Sequence, residues 1–232
     1  MDIIQYPSPN FDERNGEDVT FLILHYTGMK TAEAALDRLC CEKAEVSAHY
    51  TVDEDGAVYQ HVEEDKRAWH TGVSSWQGEG QINAKSIGVE IINPGHEFGY
   101  REFTDVQLSA VKKLCLAILA RHKSIEHVLA HSDVAPDRKK DPGELFPWKD
   151  FAKDGIGIWP DVSDEDVLKG GLIQDVSQGL RRVGYEASKS QNMLIAFQRH
   201  YVPEVFEAGT QGVACSLTKA RLYALQAGHL IN

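Results

Sequence analysis

The sequence lacks any run of about eighteen apolar residues, the length that a membrane-spanning helix requires. It is also poor in basic residues, with 24 Lys and Arg against 35 Asp and Glu, so the 232 residues carry a formal net charge of -11 at pH 7. A chain this acidic repels phosphate backbones and anionic lipid headgroups. We therefore expect no nucleic-acid partner and no membrane span.

Cysteine is scarce as well. The vicinal pair Cys40 and Cys41 does not have the CxxC spacing of a zinc site or a redox pair, and Cys115 lies in an apolar helical pattern that predicts a buried thiol. Free thiols favour a reducing compartment, and the N-terminal segment lacks the basic and apolar regions of a signal peptide. The expected location is cytoplasmic for the chain as written, or periplasmic or cell-envelope if a leader has been removed. A monomer is expected.

Apolar patterning alternates between strand and helix over residues 1–158. Buried strands are predicted at 19–24, 86–92 and 125–130, and a hairpin at 48–62 turns at the sequence Asp-Glu-Asp-Gly. Helices are predicted at 31–41 and 104–122, the second capped by Thr104. This order predicts an α/β (α+β) fold, with a mixed central sheet flanked by helices.

The composition changes near Trp159, where a Gly-rich segment gives way to an acidic one. We predict a first domain at residues 1–158, a linker at 159–165 and a second domain at 166–232. Helical patterns at 166–183, 191–200 and 218–227 make the second domain a small helical bundle.

Polar residues interrupt or end the predicted core strands. His25 and His131 each end an apolar strand, and Asp141 follows ten residues after His131. Two His and one Asp can form a three-ligand zinc site whose fourth position is left to water. Glu90 lies inside an apolar strand, where an unpaired charge is costly, so it must face a cleft, a cation or a donor. The alternatives are structural histidines, a turn-forming Asp141, a salt-bridged Glu90 and a solvated Lys139.

Five segments together resemble one enzyme family. They are LHYTG (24–28), SAHYTVDEDGAVYQHV (47–62), RAWHTG (67–72), SIGVEIIN (86–93) and HSDVAPDRKKDPGELFPW (131–148). Over roughly residues 1–158 the chain resembles the zinc-dependent N-acetylmuramoyl-L-alanine amidases, the family shared by phage lysozyme-type amidases and peptidoglycan recognition proteins.

The resemblance implies a zinc ion (Zn²⁺) bound by His25, His131 and Asp141, with Glu90 and Lys139 as catalytic residues. It implies hydrolysis of the amide bond between the muramic acid lactyl group and the L-alanine of the stem peptide. Peptidoglycan or muropeptide fragments would be the partners. Tyr26, directly after His25, resembles the family members that accept both intact and 1,6-anhydro muropeptides.

Four further residues are candidates for substrate binding: His49, Trp69, His70 and Asn93. Trp69 could stack on a sugar face, whereas His49 and His70 could equally be supporting groups and Asn93 could simply end its strand. The remaining histidines are expected to be surface or packing residues: His61, His96, His122, His127, His200 and His229.

The segments at 179–188 and 195–212 resemble a small peptidoglycan-binding module, and the alternative is a bundle that only packs on the first domain. Deleting residues 161–232 is expected to leave turnover of small soluble fragments intact. Three other functions stay open: a non-catalytic module that recognises peptidoglycan fragments, a zinc peptidase that cuts within the stem peptide, and an interaction protein whose active part is the bundle.

Overall fold

The structure, a computed structural model, describes residues 2–231. Within them the strands are β1 (Ile3–Gln5), β2 (Phe11–Glu13), β3 (Phe21–Tyr26), β4 (Tyr50–Val52), β5 (Val58–Gln60), β6 (Lys66–Ala68), β7 (Ser86–Ile91) and β8 (His127–Ala130). The helices are α1 (Ala32–Leu39), α2 (Ile82–Lys85), α3 (Gly95–Phe98), α4 (Asp105–Arg121), α5 (His131–Val134), α6 (Trp148–Lys153), α7 (Asp164–Gly171), α8 (Val176–Val183), α9 (Ser190–Tyr201), α10 (Glu204–Glu207) and α11 (Ser216–Ala227).

Six strands form the central sheet in the order β1-β5-β4-β7-β3-β8. The pair β4 and β5 is antiparallel, while β4, β7, β3 and β8 run parallel to one another. Strands β3 and β7 are almost continuously apolar because a central parallel strand is covered on both faces. The mixed sheet flanked by helices confirms the predicted fold class.

The register of the parallel strands places the polar residues in one row. His25 on β3 pairs with Glu90 on β7, and the preceding Leu24 pairs with Ala130, the last residue of β8. His131 follows Ala130 directly, so it reaches the same level. Three neighbouring strands therefore present His25, Glu90 and His131 at their carboxyl ends, where open α/β sheets bind ligands.

Helix α4 covers the sheet. Thr104 caps it by accepting a hydrogen bond from the N–H of Gln107, and its hydroxyl donates to the carbonyl oxygen of Glu54 at 2.6 Å. The inward face of the helix includes Cys115, which is buried as predicted. The four cysteines are free, and the hairpin turn at 53–56 has the expected Gly56 at φ +85°.

The C-terminal part is helical, as predicted, with two differences in detail. The helix predicted at 166–183 is two helices, α7 and α8, and α7 begins inside the predicted linker with Ser163 as its N-cap. Trp159 at the start of that linker is buried, and the apolar core continues from the sheet into α8 and α9. Among the described residues, no helix has the length and apolar character needed to cross a membrane.

Candidate metal centre and cleft

The three ligand candidates converge at the carboxyl ends of β3 and β8. His25 Nδ1 lies 2.9 Å from His131 Nδ1 and 3.0 Å from Asp141 Oδ2, and His131 Nδ1 lies 2.8 Å from the same oxygen. All three side chains are buried, with exposures of 0% for His25, 2% for His131 and 6% for Asp141. The described residues contain one group of this kind that could hold a metal ion.

Hydrogen bonding alone does not satisfy this cluster. His131 Nε2 lies 3.0 Å from the carbonyl oxygen of Thr71, which can only accept, so in the neutral ring the proton is on Nε2 and Nδ1 carries a lone pair. His25 Nδ1 and Asp141 Oδ2 point to the same place. A single proton cannot form hydrogen bonds with all three ligand atoms, whereas a metal cation can accept a lone pair from each of them. Two imidazole nitrogens and one carboxylate oxygen are a donor set that suits zinc.

The electrostatics of the cluster favour metal-binding protonation states. Burial, together with the neighbouring His131, lowers the pKa of His25 to about 4, so its ring is neutral at pH 7. Burial would raise the pKa of Asp141, but the adjacent His131 and His25 hold that pKa below its usual value. A neutral imidazole and an ionised carboxylate are the forms that coordinate metals.

Glu90 lies beside the cluster, one strand away from His25. Its Oε2 is buried and has no hydrogen-bond partner. Burial raises the pKa of Glu90 well above its usual value, the charge of Asp141 adds to that rise, and Lys139 opposes it. A carboxylate with a free oxygen and a high proton affinity is suited to proton transfer.

These groups open onto a cleft of about 530 Å³, whose wall includes Glu90, His131, Lys139 and Asp141. Lys139 is half-buried and forms no ion pair with any residue that the structure describes. Its ammonium is therefore available to a ligand in the cleft.

Two of the predicted substrate-binding residues also line the cleft. Trp69 lies in the cleft wall, and its Nε1 donates a hydrogen bond to Asp12 Oδ2 at 2.7 Å, which fixes the indole. His70 Nδ1 lies 3.0 Å from His25 Nε2, and His70 Nε2 lies 3.0 Å from the hydroxyl of Ser86. His70 therefore orients His25 as well as lining the cleft, so it fits the supporting alternative.

The other two lie deeper. His49 has 0% exposure, and its Nδ1 accepts from the N–H of Gly88 at 3.0 Å. Asn93 has 1% exposure, and its amide is used within the chain, donating to the carbonyl of Arg101 and accepting from the N–H of Gly95. The geometry of both fits support of the site, and contact with substrate stays a prediction for them.

The prediction for His96 as a surface or packing residue was incomplete, because His96 lines the cleft. Its Nδ1 lies 2.9 Å from the hydroxyl of Tyr26, and its Nε2 lies 3.1 Å from Glu144. Nothing in the spacing of His96 indicates this, because its position in the cleft wall depends on how the segment after β7, which contains α3, folds. Likewise, no sequence pattern marks the Thr71 carbonyl that fixes the tautomer of His131.

Comparison with known proteins identifies the family. Residues 15–144, more than half of the chain, match N-acetylmuramoyl-L-alanine amidase. The chain belongs to this family. The amidase AmiD of Escherichia coli K12 is 32% identical to this amidase over 229 residues, covering 86% of this chain and 82% of AmiD. The anhydro-N-acetylmuramyl-L-alanine amidase AmpD of Haemophilus influenzae is 30% identical, covering 65% of this chain and 90% of AmpD.

Solved structures extend the similarity to nearly the whole amidase chain. AmiD from E. coli in complex with anhydro-N-acetylmuramic acid-L-Ala-D-γ-Glu-L-Lys has a TM-score of 0.78 at 30% identity, and covers 95% of this chain and 98% of its own. AmpDh3 from Pseudomonas aeruginosa in complex with anhydromuramic pentapeptide has a TM-score of 0.80 at 30% identity. The match covers 97% of this chain and 96% of the AmpDh3 chain. The similarity therefore includes the C-terminal helices.

Proposed function

We propose that this amidase is a zinc-dependent enzyme that hydrolyses the amide bond between the lactyl group of muramic acid and the L-alanine of the stem peptide. The observation that carries the proposal is the convergence of His25, His131 and Asp141 on one point beside the unpartnered oxygen of Glu90. The substrate class follows from the complexes of AmiD and AmpDh3 with anhydromuramyl peptides.

His25 Nδ1, His131 Nδ1 and Asp141 Oδ2 would hold the metal. Zinc bound by three protein ligands lowers the pKa of water and polarises a carbonyl group. His70 and the Thr71 carbonyl keep the outer nitrogens of the two imidazoles engaged, so the inner nitrogens stay directed at the metal position.

Glu90 is the proposed general base and acid. Its free Oε2 can accept a proton from the attacking water, and the protonated carboxyl can then give that proton to the nitrogen of the departing L-alanine. The apolar surroundings that raise the pKa of Glu90 favour the first transfer, because they make the carboxylate a stronger base. Glu90 thus ends the cycle as it began.

Lys139 is proposed to stabilise the transition state. Negative charge builds up on the carbonyl oxygen of the lactyl group when water adds, and an ammonium group in a water-poor cleft offsets that charge. Lys139 is two residues before Asp141 and lines the same cleft, so it can approach the reacting carbonyl from the side of the ligand loop.

Recognition of the substrate is assigned to the cleft wall. The fixed indole of Trp69 offers a flat apolar surface on which a sugar ring can stack. We propose that both intact and 1,6-anhydro muramic acid are accepted. A purely recognising module is disfavoured because the ligand set, Glu90 and Lys139 are all present, and such a module needs no unpartnered carboxylate beside a metal site.

The test is mass spectrometry of the products from a disaccharide-pentapeptide and from its anhydro counterpart, with and without a chelator. We expect an intact peptide with a free N-terminal alanine, lost on chelation and restored by zinc. Cleavage within the stem peptide would identify a peptidase instead. Zinc-loaded protein that cleaves neither compound would favour the recognition module.

A further inference from the structure

Asp133, two residues after His131 in α5, has a carboxylate that is completely buried. Its Oδ2 accepts a hydrogen bond from the backbone N–H of Ala130 at 2.8 Å. That bond closes the turn from the end of β8 into α5, and His131 lies within the turn. The Asp133 carboxylate therefore fixes the backbone that presents the His131 imidazole.

The donors that stabilise this carboxylate come from the C-terminal part of the chain, Tyr185 from the segment between α8 and α9 and His200 from α9. The hydroxyl of Tyr185 donates to Oδ1 at 2.8 Å, and His200 Nδ1 donates to Oδ2 at 2.6 Å. Both side chains are buried, and the His200 ring is stacked between Trp148 and Tyr201, with 3.9 Å between ring centroids on each side. A buried carboxylate without such donors is costly, so the fold of this turn depends on them.

Helix α5 is also joined to the other ligand of its loop. The backbone N–H of Ser132 donates to the carbonyl oxygen of Asp141 at 3.0 Å. Helix α5 is therefore joined to the backbone of Ala130 through the Asp133 carboxylate, and to the backbone of the ligand Asp141 through the N–H of Ser132.

We propose that the C-terminal helices hold the metal centre in shape, with Tyr185 and His200 as positioning residues that act through Asp133 on His131. The inference rests on the proposed function because it takes zinc as the bound metal. It gives the helices a role in the chemistry whether or not they also bind peptidoglycan. Loss of a supporting hydrogen bond around a metal ligand typically weakens metal affinity about 10- to 100-fold.

The test compares two Tyr→Phe substitutions in the full-length chain. Tyr185→Phe removes the hydroxyl that donates to Asp133, and Tyr201→Phe is the matched control because it removes a neighbouring tyrosine hydroxyl that does not bond Asp133. The zinc dissociation constant is measured by competition with a chromogenic chelator, and thermal unfolding of the metal-free proteins checks that each is folded. We expect Tyr185→Phe to raise the zinc dissociation constant about 10-fold, and Tyr201→Phe to leave it unchanged.

A second pair covers the case in which Tyr185→Phe does not fold. His200→Asn keeps a donor near the position of Nδ1, whereas His200→Leu removes it, so the Leu variant should bind zinc more weakly than the Asn variant. Equal zinc affinity in the wild type and in folded Tyr185→Phe, or in the two His200 variants, would overturn the inference, and so would a wild type that binds no zinc. If zinc affinity separates as expected but the wild type cleaves neither muropeptide, the inference stands and the proposed function fails.

Discussion

Glu90 is the residue on which the proposed chemistry depends most, because it supplies proton transfer and does not bind the metal. Glu90→Gln keeps the size of the side chain but removes its basicity. We expect turnover to fall about 10²- to 10⁴-fold, with zinc affinity close to that of the wild type. Steady-state kinetics beside the chelator assay would show this, and near-native activity in the variant would disprove the assignment of the base.

The same substitution also tests the burial of Glu90, because burial makes the stability of the protein depend on pH. An unfolded glutamate has a pKa of about 4.3, whereas burial raises the pKa of Glu90 in the folded state. This group's contribution to stability is therefore full below the unfolded pKa and is lost as pH rises through the raised pKa. In metal-free protein, we expect Glu90→Gln to have a higher Tm than the wild type at pH 7, with the difference shrinking toward about pH 4. Calorimetry that finds no gain at pH 7 would contradict this.

Lys139 and its neighbour Lys140 offer an internal comparison. Both lysines line the cleft, but Lys139 is half-buried whereas Lys140 is exposed. If Lys139 stabilises the charge on the carbonyl oxygen, Lys139→Met should lower kcat about 100-fold with little change in KM. Lys140→Met should have a much smaller effect. A larger loss in the Lys140 variant would transfer the role to that residue.

At the scale of the element, helix α4 is tied to the hairpin through one residue. Thr104 accepts from the N–H of Gln107 and donates to the carbonyl of Glu54. Thr104→Ala should destabilise the protein by about 1 kcal/mol, and Thr104→Ser, which keeps the hydroxyl, should cost much less. Urea unfolding of the two variants measures this difference, and equal stability of the two would contradict the cap.

Apolar patterning predicted the long elements because the residue types along each element show which positions are buried. The apolar run that ends at His25 and the interrupted run around Glu90 indicate buried strands without reference to the rest of the fold. Strands β1, β2 and β6 have three residues each, which is too short for a period to appear, whereas the equally short β4 and β5 were predicted from the turn between them. Their existence depends on the partner strand, as in the pairing of Phe11 with Ala68, and that pairing is not local information.

At the scale of the whole molecule, the C-terminal helices share one apolar core with the sheet. A chain ending at residue 160 would expose Trp148 and leave Asp133 without its two side-chain donors. Contrary to the expectation from sequence, we expect this shortened chain to lose both its soluble fold and its turnover. Gel filtration, circular dichroism and hydrolysis of a soluble muropeptide test this. A folded and active fragment would contradict this expectation and the role given to the C-terminal helices.

The candidate site was predictable where its residues share a motif, and not where they meet across the fold. His131, Lys139 and Asp141 belong to one segment, and resemblance joined them to His25 and Glu90. The contact of His200 with Asp133 links residues 67 positions apart in the sequence, on different parts of the fold. For a histidine in an amphipathic helix, such as His200, the sequence does not show whether the side chain is buried or exposed.

The pairing of His25 with Glu90 has a consequence for how this enzyme can change. The distance between their Cα atoms is set by the spacing of neighbouring hydrogen-bonded strands, about 4.8 Å. Backbone hydrogen bonds maintain that spacing whatever the side chains are. The segments that carry Trp69 and His96 are outside this ladder, so their substitution reshapes the cleft while the distance between ligand and base stays constant. The ligand and the base therefore lie in separate parts of the chain from Trp69 and His96. Substitutions in this part of the cleft wall are the way to direct this fold toward new amides.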